Sequence, residues 1–388
     1  MIVAMTLPAR RLITAVVAAM AWARAIDAQE LPRGTIVDSV ACTDDAAQTY
    51  ALYLPSGYTR ERAWSVLIAF HPAARGRAMV EKYRAAAEQY GYIVAGSNTS
   101  RNGPMNVSDA AVRAMSADLG KRFAIDAERV YLTGMSGGAR VALQVALQNK
   151  NVAGVIASSA GYPDANRRSS VSFAVFGTAG TDDFNYIEMR MLDRKLTSPH
   201  RLVIFDGGHT LPPDEVALDA IEWMELQAMK SGRKPKDEAL IDRLLEKRRA
   251  RLESPDSATT VHRLEAIADD FKGLRDVTAE ANRARDLARQ PEVKKALSRE
   301  RSNDDAEARL VADLLGLEQE LLDASRHEDS LIRLRALLTR YAQAAASPTE
   351  SAERSQARRV MRAVTAGAAE RVDDRDYRAL LEQLRVRH

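Results

Sequence analysis

The chain of 388 residues carries 56 Lys and Arg against 53 Asp and Glu, a formal charge of +3, with 46% hydrophobic and 28% charged residues. That length allows two domains, and the composition is that of a soluble globular protein. So small a net charge leaves no nucleic-acid footprint, because acidic residues interleave with the arginines nearly everywhere.

Residues 1–28 read as an export signal. Arg10 and Arg11 form a basic start, Leu12 to Trp22 a short apolar core, and small residues follow, ending at Ala28-Gln29 or at Ala23-Arg24-Ala25. The residues around Arg10-Arg11 fit a twin-arginine signal poorly, so general secretion to the periplasm or medium is expected. An apolar core this short makes no lasting membrane anchor. Cys42 is the only cysteine, which excludes an internal disulfide and reads as a small packed residue.

From residue 29 to 230 strand-like and helix-like runs alternate. Gln48 to Pro55 alternates like a strand and ends in a turn at Pro55-Ser-Gly-Tyr58. Ser65 to Phe70 is a continuous apolar run, as expected of a strand covered on both faces. A helix is predicted over Val80 to Tyr90, a strand over Tyr92 to Gly96, and a helix over Ser108 to Phe123 with Ser108 as its N-cap. Strands are then predicted at Val130–Thr133, Val152–Ser159, Ser172–Gly177 and Arg201–Asp206, with a closing helix from Glu215 to Met229. Such alternation predicts a mostly parallel sheet in a three-layer α/β domain.

The centre of this half is Val130-Tyr-Leu-Thr-Gly-Met-Ser-Gly-Gly138. A buried strand stops at Gly134-Met135-Ser136-Gly137-Gly138, and Ala139 to Asn149 has helical composition. Strand, G-x-S-x-G and helix together are the context of a nucleophile elbow. A serine on so sharp a turn sits in strained backbone and needs small neighbours two places to either side. The turn also puts Ser136 at a helix N-terminus, where free N–H groups favour negative charge.

In an open α/β sheet the functional loops follow the carboxyl ends of strands. Asp182 and Asp183 lie on the loop after Ser172–Gly177, and His209 lies on Gly207-Gly-His209 after Arg201–Phe205. Of the three histidines in this half, His71 ends the strand before the candidate oxyanion loop and His200 precedes its strand. Only His209 follows a strand end after glycines that let a loop bend inward. The order serine, aspartate, histidine is that of α/β-hydrolases.

The stretch from about Tyr50 to Met229 resembles secreted α/β-hydrolases, near the carboxylesterases of the feruloyl-esterase and polyhydroxybutyrate-depolymerase type. Three pieces carry the likeness: Tyr50-Ala-Leu-Tyr-Leu-Pro-Ser-Gly-Tyr58, Arg129 to Gly138, and Gly207-Gly-His209. The resemblance implies Ser136 as nucleophile and His209 as general base, then acid. Its usual Gly-x-x-Asp spacing is met by Gly180-Thr-Asp-Asp183, which favours Asp183 as the acid over Asp182. The oxyanion donors would be the N–H of Gly137 and one from the loop after Phe70. That loop often begins His-Gly, but here Pro72 replaces the glycine and has no N–H, so Ala73 is the expected donor. Asn98, Ser100, Asn102 and Met135 are expected near the substrate, the alternative for the first three being an ordinary polar turn around Gly103-Pro104. No cofactor and no metal are expected.

Ser231-Gly-Arg-Lys-Pro-Lys236 reads as a linker, and residues 237–388 change character. Glycine becomes rare and helical stripes follow one another: Leu240, Leu244, Leu245 and Leu252, then Leu264, Ile267, Ala268, Phe271 and Leu274, then others as far as Leu384. Breaks are expected near Pro255, Pro291, Ser302-Asn303 and Pro348. The pattern predicts an all-α domain, either a bundle or a tetratricopeptide-like stack. His262, His327 and His388 show no ligand spacing. Because every site candidate precedes the linker, the chemistry is expected to be separable from the helices.

The expected function is that of a serine esterase acting on a small or polymeric ester. Two alternatives share the sequence: a peptidase of the same fold, and a binding protein whose helical domain engages a protein partner while the hydrolase-like domain serves as scaffold.

Overall fold

Burial alternates along the central strand, and this builds the layers. The side chains of Val66, Ile68 and Phe70 enter one apolar core, while Leu67 and Ala69 enter another on the opposite face. The computed structural model describes residues 31–162 and 169–384. The expected export signal, with Arg10 and Arg11, lies outside the described residues, as does His388.

Eight strands form one sheet: β1 (Ile36–Ala41), β2 (Thr49–Tyr53), β3 (Trp64–Phe70), β4 (Tyr92–Ser97), β5 (Ile125–Met135), β6 (Val152–Ser158), β7 (Ala174–Gly180) and β8 (His200–Phe205). Their order across the sheet is β1-β2-β4-β3-β5-β6-β7-β8. Only β2 runs against its neighbours; every pair from β4 to β8 is parallel. The helices of this half are α1 (Gly76–Tyr90), α2 (Met105–Arg122), α3 (Gly137–Gln148), α4 (Tyr186–Lys195) and α5 (Asp214–Lys230). Met115 and Leu119 of α2, Leu143 of α3 and Met189 and Leu192 of α4 pack on one face of the sheet. Met79 and Tyr83 of α1 and Ile221 and Trp223 of α5 pack on the other. This is the three-layer α/β-hydrolase fold.

Several boundaries differ from the sequence reading, each for a local reason. β7 runs on to Gly180 rather than stopping at Gly177, because residues 175–180 pair in register with 200–205 of β8. The acid-bearing loop therefore starts at Thr181. Helix α2 begins three residues before Ser108: Pro104, with φ −58° and ψ 134°, occupies the cap position. Ser108 is buried inside the helix, where its hydroxyl meets that of Ser100 at 3.0 Å. Cys42 is buried. Burial, then the Asp118 carboxylate, pushes its thiol up to about 11, which keeps it protonated and inert.

The second half is helical throughout its described residues: α6 (Glu238–Ala250), α7 (Ser257–Phe271), α8 (Thr278–Arg289), α9 (Pro291–Glu320), α10 (His327–Ala345), α11 (Ala352–Arg371) and α12 (Arg375–Gln383). The break expected at Ser302-Asn303 is absent, since α9 passes straight through it. Pro291 opens that helix at its first turn, where a missing N–H costs nothing. Two cores form. Leu240, Leu244, Leu264, Ile267 and Phe271 build one with Leu226 and Met229 of α5. Leu314, Leu334, Leu338, Val360 and Tyr377 build the other. No described helix is long and apolar enough to cross a membrane.

The helices pack against the sheet half. Helix α5 lies between the sheet and the first helical core and is buried nearly all round, its Asp219, Glu222 and Glu225 included. Ion pairs line the rest of the seam. Arg201 of β8 meets Asp270 at 2.6 Å, and Asp270 also accepts from the Trp223 indole at 2.7 Å. Arg190 of α4 meets Asp304 at 2.8 Å, and Lys247 bridges Asp219 and Glu222 of α5 at 2.9 and 2.6 Å.

Candidate active site

Ser136 has φ 53° and ψ −123°, in the left-handed half of backbone space that a residue with a Cβ rarely enters. The conformation is held on both sides: the Ser136 N–H donates to Ser158 O at 2.8 Å, and its carbonyl accepts from Ala139 N at 2.9 Å. The flanking glycines are obligatory in this geometry. A Cβ on Gly134 would strike the Gly138 carbonyl, and one on Gly138 would strike that of Phe70. Gly137 opens α3, so its N–H is one of the four that have no intrahelical acceptor.

Two strands away, Asp183 follows β7. Its side chain is fully buried, and Oδ1 accepts from the Asn185 N–H at 2.8 Å. The same oxygen lies 2.8 Å from His209 Nδ1. With the proton on Nδ1, the imidazole donates to this carboxylate and leaves a lone pair on Nε2. The Phe184 ring stacks on the imidazole at 3.8 Å between centroids, with 25° between planes. Two contacts carry this pair back toward the serine. Asn185 Nδ2 donates to Ser159 O at 2.7 Å, and Ser159 Oγ lies 3.4 Å from the Thr210 carbonyl. Ser158, next in the chain, accepts from Ser136.

Asp182 points elsewhere. Its carboxylate lies 3.6 Å from both Arg358 and Arg362 of α11. Only one of the two adjacent aspartates therefore faces the histidine.

The loop after β3 carries His71 and Ala73. Ala73 N–H donates to His71 Nδ1 at 3.0 Å, and Ala74 has φ 54°. Burial, then the charge of Arg75, holds the His71 imidazole below its ordinary range, which keeps that ring neutral and able to accept. Asn102 closes over the elbow: its N–H donates to Pro72 O at 2.8 Å, and its Oδ1 sits where a Cβ on Gly137 would stand. Asn98 and Ser100, in contrast, are taken up by the scaffold. Asn98 Nδ2 donates to Asp38 O at 3.0 Å, and Ser100 is buried against Ser108. Met135 packs into the core on the α1 and α5 face rather than standing free beside the serine.

Residues that sequence reasoning missed come from two places. Phe184 and Asn185 adjoin Asp183 in the chain, so a closer reading of that loop could have raised them. The arginines of α11 could not have been found, because they meet the loop across some 180 residues of sequence.

No family model matches the sequence, and neither does any curated protein. Solved structures similar in fold include a thermostable esterase, at 17% identity and a TM-score of 0.39 over 48% of this chain and 61% of that one. A hyperthermophilic esterase from the archaeon Pyrobaculum calidifontis is 10% identical, with a TM-score of 0.40, over 51% of this chain and 85% of its own. A ferulic acid esterase is 20% identical, with a TM-score of 0.37, over 48% and 94%. Likenesses of this size bear on neither activity nor substrate; strand order and layering define the fold.

Proposed function

We propose that this chain is a serine hydrolase that cleaves carboxylic esters through an acyl-enzyme, with Ser136 as nucleophile, His209 as general base and acid, and Asp183 as the orienting carboxylate. The observation that carries the reading is the 2.8 Å contact of His209 Nδ1 with the buried Asp183, on the same sheet edge as a serine held in strained φ. In the reaction the Ser136 hydroxyl attacks the ester carbonyl carbon as Nε2 of His209 takes its proton. The tetrahedral oxyanion accepts from Gly137 N–H. Ala73 N–H can be the second donor only by exchanging His71 Nδ1 for the oxyanion, and Asn102 is placed to order the mouth of the site. The imidazolium then protonates the leaving alcohol, and water, activated by the same histidine, releases the acid. Asp183 holds the ring in the productive tautomer throughout.

The domain reading that goes with this has an export signal at 1–28, a catalytic domain at 29–230, a linker at 231–236 and a helical domain at 237–388. The basic and apolar pattern of residues 10–22 supports export to the periplasm or medium. Purified protein assayed on p-nitrophenyl esters of graded acyl length, with a peptide amide alongside, tests the activity. Turnover of short esters without amide cleavage is expected; amide cleavage alone would make the chain a peptidase, and no turnover of either would overturn the reading.

A further inference from the structure

The helical half reaches the acid loop itself. Arg359 Nη1 of α11 donates to Thr181 O at 2.8 Å, and Arg362 Nη1 donates to Asp182 O at 2.9 Å. These are the two residues immediately before Asp183. Arg359 also lies over the Tyr186 ring, 4.2 Å from its centroid, so it touches the chain on both sides of the aspartate. Its own position is fixed from a third helix: Nε and Nη2 fork onto Glu307 of α9 at 2.8 and 2.6 Å.

The clamped loop is also bonded to the one that carries the histidine. Thr181 N–H donates to Phe205 O at 2.9 Å and Asp182 N–H to Gly207 O at 2.8 Å, two residues before His209. The acid and histidine segments are thus laced together by backbone bonds, and α11 holds the carbonyl side of that lacing. A carbonyl left without its guanidinium donor would turn, and the peptide plane between Asp182 and Asp183 would turn with it. Asp183 Oδ1 has little room for this, since it must meet Asn185 N–H and His209 Nδ1 together.

We propose that Arg359 and Arg362 are positioning residues for the Asp183–His209 pair, so that the helical half completes the hydrolase site rather than merely following it in the chain. The inference rests on the serine-hydrolase reading above. A misplacement on the order of 1 Å in such a pair costs about 10²-fold in turnover. Arg362 is the better probe because it is half-buried and carries no bidentate partner whose charge would be stranded, whereas Arg359→Ala would leave Glu307 buried alone.

The test uses the full chain, with Arg362→Ala, Arg362→Lys and Arg359→Lys each checked for folding by circular dichroism. On p-nitrophenyl acetate, Arg362→Ala is expected to lose about 10- to 100-fold in kcat with KM nearly unchanged. Arg362→Lys, which keeps a donor, and added methylguanidine should each restore part of the loss. The downfield proton of His209 Nδ1–H, read by NMR, should weaken or vanish in Arg362→Ala. Unchanged kcat and an unchanged Nδ1 proton in folded Arg362→Ala and Arg359→Lys would overturn the proposal. A lowered thermal midpoint with unchanged kcat would do the same, since it assigns the arginines to stability alone. If the unaltered protein turns over no ester and takes no fluorophosphonate, the hydrolase reading falls; the Nδ1 proton of the variants still decides whether α11 positions the pair.

Discussion

The sheet half and the helical half are held together by different physics. The central strands bury every residue, as in β3, β6 and β7, and their stability comes from apolar area removed from water on both faces. The helical half buries leucine stripes but also sets carboxylates into its interior. Asp270, Asp304, Glu307 and Glu318 are each at least 95% buried. The first three pair with Arg201 of β8, Arg190 of α4 and Arg359 of α11, of which the first two belong to the sheet half and the third reaches its acid loop. Apolar contact tolerates small displacements, whereas a guanidinium fork specifies distance and plane. The seam is thus a fitted joint, and part of its fit lies against the acid loop.

After loss of the nucleophile itself, the largest expected effect is at the two adjacent aspartates, one facing the sheet half's histidine and the other facing α11. Asp183→Asn should lower turnover by about 10⁴, because asparagine favours the wrong imidazole tautomer. Asp182→Asn should change it little, since its carboxylate faces Arg358 and Arg362 at 3.6 Å and not the histidine. Steady-state kinetics on one ester rank the two, and a reversed order would move the orienting role to Asp182.

Legibility in the sequence follows the same division. Continuous apolar runs such as Ser65–Phe70 and Val152–Ser158 mark strands because a strand covered on both faces admits little else. The elbow is legible because steric need restricts its neighbours to glycine. β1 gives no such signal: it is an edge strand, largely exposed, and its register shifts between Val37 and Val40. Helix α4 is only 10 residues long and follows the acid loop directly, and its N-cap Asn185 turns its side chain to Ser159 O instead of capping the helix. The seam is the least legible part, because charged residues on a helical stripe look like a solvated face until their partners are known. Arg359 and Arg362 are two among many arginines in residues 237–388.

A middle-sized effect should come from the seam itself. Arg201→Ala leaves Asp270 buried with the Trp223 indole and only the more distant charges of Arg248 and Lys230, and a buried charge stripped of its direct partner costs about 3 kcal/mol. Urea unfolding should show that loss with little change in turnover per folded molecule. A loss below about 0.5 kcal/mol would mean that the seam is held by its apolar contacts alone.

The smallest effect is one of pH. The carboxylates of Glu265 and Glu300 raise His262 to about 9, outweighing its burial. A folded-state value above the unfolded one of about 6.5 stabilises the protein fully below that value, and the gain is lost as pH rises through about 9. His262→Gln should therefore lower the thermal midpoint near pH 6 and leave it unchanged near pH 10, both approximate limits set by those values. The side chain is half-exposed, so solvent screening keeps the shift small. Equal midpoint losses at both pH values would show that packing, not charge, is what His262 supplies.

The central claim, that Ser136 is an activated nucleophile, is tested most directly by fluorophosphonate labelling followed by mass spectrometry of the modified peptide. The account predicts a single phosphonylated serine at 136, and a Ser136→Ala variant that takes no label and loses about 10⁶ in turnover. Labelling at another residue, or an Ala variant that labels as fast as the unaltered protein, would contradict it.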